Sequence, residues 1–252
     1  MATNSLYNVT VKPTITASLQ HVAAFVNKEL LFDWTEFYVP AGIGRIVGIA
    51  AFVRGTDGVK QREAFELYFS KSDDFSLGTI NSGVGIQPNN DFIGAADIEK
   101  KHYFTALDTM AIANAKFSYS GVNLPSTKEP LGTGIKNTGR SVTYVAGVDV
   151  GVGTNFDFRT TCRINNVANY TAGESTTIIC DGSSALINFG PGDVLHATDG
   201  AGSNAVIGTV KSVSANLITL TDTNTAALSD DDYIYNISPI VLQLTFGDTA
   251  SI

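Results

Sequence analysis

The chain is poor in charge, in cysteine and in proline, and each shortage removes a class of protein. Charged residues make up 16% of its 252 residues, against roughly a quarter in ordinary soluble domains, so a solvated, disordered chain is excluded for most of its length. Two cysteines rule out a disulfide framework, and seven prolines rule out a collagen-like chain. No apolar run approaches the roughly 20 residues that cross a bilayer as a helix. Positive charge is also short: 16 Lys and Arg stand against 24 Asp and Glu, for a net charge of −8. A field of that sign repels phosphate backbones and anionic headgroups, so neither nucleic acid nor a membrane is expected as a partner. Residues 1–10 lack the basic stretch and apolar run of a secretory signal, so synthesis in a cytoplasm is expected.

What remains is the composition of strands and turns, with 24 glycines amid abundant Thr, Ser and Asn. Period-two alternation, the mark of half-buried strands, dominates the chain. In 156–164 the residues Phe156, Phe158, Thr160, Cys162 and Ile164 share a face opposite Asp157, Arg159, Thr161 and Arg163. The same pattern runs through 63–70, with Phe65, Leu67 and Phe69 on one side, through 142–150, and through 240–246, with Ile240, Leu242, Leu244 and Phe246. Segment 45–54 is apolar on both faces and reads as a strand covered on both sides. Segment 30–39 is aromatic (Phe32, Trp34, Phe37, Tyr38) and stops at Pro40, which cannot donate to a ladder and opens a turn over 40–42. One stretch, 95–104, tolerates a helix, with Asp97 as cap. The Gly, Pro, Ser and Thr of 122–140 predict a long irregular loop, a place where partner contacts gather.

Near Thr177 the composition shifts to short strands at close spacing, 185–189, 193–197, 205–213, 216–220 and 233–237, separated by Gly-Pro-Gly, Asp-Gly-Ala-Gly and Asp-Asp-Asp turns. The expected organisation is an all-β chain: an N-terminal arm over 1–20, a two-sheet sandwich over 21–177 and 239–252, and an inserted small β-barrel over 178–238.

The search for chemistry returns no catalytic, cofactor-binding or metal residue, and no enzyme is expected. His21, His102 and His196 lack Ser, Cys or carboxylate partners at a motif spacing. The acidic groups Asp73-Asp74, Asp97/Glu99 and Asp230–Asp232 lie at turns, where Asp bonds the local backbone. Asp222, Asn224, Asp199 and the 230–232 run offer oxygen ligands for calcium, but not in the D-x-[DN]-x-[DN]-G pattern of a calcium loop. Cys162 and Cys180 read as buried free thiols. Trp34 and Tyr38, or Tyr233 and Tyr235, are candidates for stacking on sugars, with core packing as the competing reading. The sequons at Asn8, Asn169 and Asn236 match the number that chance supplies.

An ordered series of segments carries a resemblance: VAAFVNKEL at 22–30, an aromatic strand into YVP at 38–40, RIVGIAAFV at 45–53, FELYF at 65–69, then VTYVA at 142–146 and VLQLTF at 241–246. In this order they resemble a recurring group of tailed-phage virion proteins of the structural or head-decoration kind. Lys28-Glu29 replaces the group's usual Gly-Asp, and the barrel is extra. The resemblance implies a jelly-roll-like sandwich at the capsid surface of a virion, made in the host cytoplasm. It also implies the major capsid protein and further copies of the same chain as partners, in a homo-oligomer or shell-templated array. The alternatives are a jelly-roll shell subunit, a tail or fibre component, or a carbohydrate-binding module.

Overall fold

The computed structural model describes residues 6–40, 45–85, 91–104, 107, 109–116, 140–167 and 169–247. The protein is all-β, and among the described residues the pairings are antiparallel apart from one isolated bridge. The first sheet orders β1 (Tyr7–Val11), β15 (Ile240–Gly247), β3 (Arg45–Arg54), β7 (Met110–Lys116) and β6 (Tyr103–Phe104). The second orders β2 (Leu30–Pro40), β8 (Arg140–Asp149), β4 (Phe65–Ser70) and β5 (Phe92–Ile98). The chain therefore alternates between sheets, β1 to β2 to β3 to β4, stays for β5, returns for β6 and β7, crosses to β8 and closes with β15. This is the winding of a jelly roll.

Alternation explains the core. Phe37, Val39, Phe65, Leu67, Phe69, Leu242, Leu244 and Phe246 all lie at 2% exposure or less between the sheets. In β3 the pairing skips Val47, with Thr245 opposite Gly48 and Phe246 opposite Ile46. This bulge turns Ile46 instead of Val47 inward beside Ile49, Ala51 and Val53. The other face of β3 is half-exposed, which corrects the expectation of a strand covered on both sides. The second sheet does carry a cover: Phe75, Leu77, Ile80 and Val84 fold over Trp34, Tyr68, Phe92, Ala146 and Val148.

Between β8 and β15 the chain builds a closed ring, ordered β10 (Thr177–Asp181), β13 (Leu217–Leu220), β12 (Ala205–Ser214), β11 (Val194–Thr198), β14 (Tyr233–Asn236) and β9 (Arg163–Ile164). Its interior holds Ile164, Ile178, Leu195, Ala197, Ile207, Val210, Ile218, Leu220 and Ile234. The ring opens at Arg163, well before residue 178. Segment 156–164 keeps its alternating burial, but only Arg163 and Ile164 join a ladder. Phe156 and Phe158 fill the sandwich core while Cys162 and Ile164 fill the ring's, so the alternation serves two cores in succession.

Three further expectations give way. The segment over 185–189 is a short helix, α2 (Ala185–Asn188), not a strand, because Ala185 and Asn188 are buried at helical spacing. Over 95–104 the chain is strand β5 followed by a 3-10 turn (Lys100–His102). Glu99, not Asp97, stands at the turn's N-cap, and Asp97 lies in the ladder opposite Glu66. The arm is no free arm: β1 pairs with β15 from Tyr7↔Phe246 to Val11↔Leu242, Ile15 is fully buried, and helix α1 (Ala17–Val22) packs on β11 and β14. The loop expected over 122–140 lies outside the described residues except Arg140, and the turn expected at 40–42 does so beyond Pro40.

Candidate functional site

The densest polar chemistry lies where the sandwich meets the ring. After β3 the chain reverses through Thr56-Asp57-Gly58-Val59, with Thr56 and Val59 exchanging backbone hydrogen bonds and φ of +50° at Asp57 and +79° at Gly58. Asp-Gly is the dipeptide that a two-residue turn with both φ positive demands. The turn points the Asp57 carboxylate at the ring. It accepts from Thr160 Oγ1 (2.8 Å), Thr161 N (2.7 Å), Asn188 Nδ2 (3.1 Å) and Ser183 Oγ, while Asp57 N donates to Asn188 Oδ1 (2.7 Å). Burial alone would raise the Asp57 pKa; the donors of Ser183, Thr161 and Thr160 outweigh it and hold the carboxyl below its usual range.

Further bonds surround this hub. Arg54 Nη2 lies 2.9 Å from both carboxylate oxygens of Asp193, and Asp193 also accepts from Gly190 N at 2.8 Å. Gln20, 2% exposed, donates to Ile15 O and Asn236 O. His21 Nδ1 lies 2.9 Å from Tyr235 Oη, and Ser18 is doubly bonded to Asn204. Ile15 N donates to Ile237 O, so backbone as well as side chain joins the two parts. Between them is a cavity of about 20 Å³ lined by Gln20, Thr56, Thr160, Asn188, Tyr235 and Asn236, among others. That is the room of one water, far below the roughly 300–1,000 Å³ of a small-molecule site.

The remaining candidates are scattered, and most are engaged by nearby groups. His102 Nδ1 accepts from Glu99 N at 3.0 Å and closes the 3-10 turn. His196, half-buried on β11, has an Nδ1 without a hydrogen-bond partner, and burial lowers its pKa. Asp230 accepts from Asn166 N, Asp231 pairs with Arg163 at 3.0 Å, and Asp232 accepts from Ser229 N. Asn224 bonds the backbone of Ser175, Thr171 and Ala226, and Asp199 bonds Ala201 N and Ser203. No group of three or more His, Cys, Asp or Glu stands in a metal-holding arrangement among the described residues. Asp73 and Asp74 lie by Tyr144, whose hydroxyl pKa is raised by burial and then by Asp73 and Glu36.

Of the aromatic candidates, Trp34 donates Nε1 to Phe75 O (2.8 Å) and lies against the Phe75 and Phe92 rings. Tyr235 is 2% exposed, and Tyr233 lies with its ring centroid 4.5 Å from that of His21. Tyr38 alone of the four is open, at 49% exposure. Cys162 and Cys180 are buried and free. Sequence reading overlooked Asp57 and Asn188; the Asp57-Gly58 dipeptide was the available signal, but nothing local announces that the turn meets residues more than 100 positions away. No protein-family model, curated protein or solved structure matches the chain.

Proposed function

We propose that the protein is a structural component of a tailed-phage virion that binds the capsid exterior as a decoration or cement protein. The observation that carries this reading is the jelly-roll winding of β1–β8 and β15, with a second β unit bonded to its side through Asp57, Arg54, Gln20 and His21. A preset arrangement of two units suits a part that works by shape. The segment resemblance supports the same reading. The partners are the major capsid protein and neighbouring copies of the chain, and the place is the capsid surface. Many weak contacts repeated by shell symmetry take the role of a single tight site. No residue has a catalytic part in this reading, and no cofactor is needed.

Quantitative mass spectrometry of purified particles tests it. A copy number near that of the main shell protein supports coating or cementing. A few copies per particle would instead indicate a tail or fibre component, and absence from particles would overturn both. The sugar-binding alternative is the weaker, because Trp34 and Tyr235 are engaged in packing.

A further inference from the structure

The ring closes on its shortest strand. β9 meets β10 only at Cys180↔Ile164 and Asp181↔Arg163, and meets β14 only at Tyr233↔Arg163. Four further backbone bonds extend the seam, Asn165 N to Ile179 O on the β10 side and Ile234 N to Cys162 O, Ile164 N to Asp232 O and Asp231 N to Ile164 O on the β14 side. A seam of so few bonds is where such a ring opens first. Both cysteines of the chain stand on it. Cys162 immediately precedes β9 and Cys180 lies in β10, at 0% and 2% exposure in the same core cluster. With Cys180 opposite Ile164, Cys162 follows two residues along the antiparallel partner and so shares the inward face. The two thiols lie diagonally across the seam within one core cluster and are not joined.

We propose that Cys162 and Cys180 are a paired oxidation site, forming an intramolecular disulfide with hydrogen peroxide as the two-electron oxidant and thereby stapling the ring at its weakest seam. One thiolate attacks a peroxide oxygen, the O–O bond breaks, and a sulfenic acid and hydroxide result. The second thiolate attacks the sulfenic sulfur, the S–O bond breaks, and hydroxide leaves. The protons released by the two thiols convert both hydroxides to water. Two thiols and one peroxide thus give one disulfide and two waters. Contact with Cys180 and burial push the Cys162 thiol up, so thiolate is scarce and the closed ring reacts slowly. Opening of the seam sets the pace. In a reducing compartment the thiols persist, and an oxidising medium closes the staple. The link encloses 17 intervening residues and acts chiefly by restraining the unfolded ring. This inference does not depend on the virion role.

The test uses the purified full chain, reduced, then treated with hydrogen peroxide at neutral pH with and without urea below the unfolding midpoint. Alkylation and intact mass follow. The expected product has lost the mass of two hydrogens, resists alkylation until dithiothreitol is added, yields a peptide joining the two cysteine segments, and unfolds several degrees higher. Urea should speed its formation. Cys162→Val and Cys180→Val, which keep apolar side chains in the core, should each abolish the mass loss. Oxygen addition to separate cysteines without a crosslink would overturn the proposal, and so would a crosslink that leaves the unfolding midpoint unchanged.

Discussion

The sandwich and the ring are both antiparallel, yet they are filled with different side chains. Among the described residues the sandwich core holds eight phenylalanines, including Phe32, Phe65, Phe156 and Phe246; the ring's holds one, Phe189, beside Tyr170 and a majority of Ile, Leu, Val, Ala and Cys. Geometry accounts for the difference. Two packed sheets leave a gap of about 10 Å that long rings span, whereas a closed ring of six strands has an interior narrow enough for aliphatic side chains. Core composition here follows the shape to be filled, not hydrophobicity alone.

The largest consequence concerns the aromatic filling. A Cβ placed on Gly147 would lie 2.3 Å from Phe32 Cε1, so β8 has a glycine where the Phe32 ring lies across it. Phe32 is fully buried. Phe32→Ala removes the ring and leaves a cavity that the flanking strands cannot close, at a cost of about 3–5 kcal/mol. Urea unfolding measures it, and a loss below about 1 kcal/mol would show that the sandwich does not depend on its aromatic filling.

Asp57 joins the two units, and its removal is next in size. Asp57→Ala strips the acceptor from Thr160, Thr161, Ser183 and Asn188 together. Partly buried donors left without partners, less what water recovers, cost about 2–4 kcal/mol. The unfolding curve is more telling than the total. The wild-type chain should unfold in one transition, and the variant in two as ring and sandwich part company. A single transition in Asp57→Ala would show that Arg54–Asp193, Gln20 and the Ile15–Ile237 backbone bond suffice.

The two units also differ in how far they can be read from sequence. In the sandwich, long alternating strands put Phe65, Leu67, Phe69, Leu242, Leu244 and Phe246 on the correct face without reference to partners. In the ring, every strand but β12 has five residues or fewer and carries too little periodicity, and Ala185–Asn188, apolar at three of four positions, passes equally for strand or helix. The bulge at Val47 shifts a pattern by one residue, and no local feature marks it. Over 156–161 the alternation is real, yet backbone bonds go to Asp57, Gln61 and Phe25 instead of a ladder. Alternation reports burial, and burial does not require a strand. The junction was least legible, because a carboxylate hub assembled from residues 57, 160, 161, 183 and 188 exists only once the chain is folded.

A smaller effect separates the covered face of the second sheet from the core beneath it. Trp34→Phe keeps an aromatic ring against Phe75 and Phe92 but deletes the bond from Nε1 to Phe75 O, worth about 1 kcal/mol. The 71–85 cover should then exchange amide hydrogens faster while the strands beneath keep their protection. Uniform loss of protection would mean that cover and sandwich open as one unit.

The smallest effect is a pH dependence confined to the ring wall that faces α1. Burial lowers the pKa of His196, and its Nδ1 has no partner to share a proton. The unfolded chain, with a histidine pKa of about 6.5, therefore binds a proton more readily than the folded one. Stability from this group is complete above that value and falls as pH drops through it toward the lower folded pKa. Partial exposure keeps the change small. His196→Gln, which cannot take up a proton, should flatten the decline between pH 7 and 5 relative to wild type. If the two proteins lose stability in parallel over that interval, the acid sensitivity belongs to some group other than this wall of the ring.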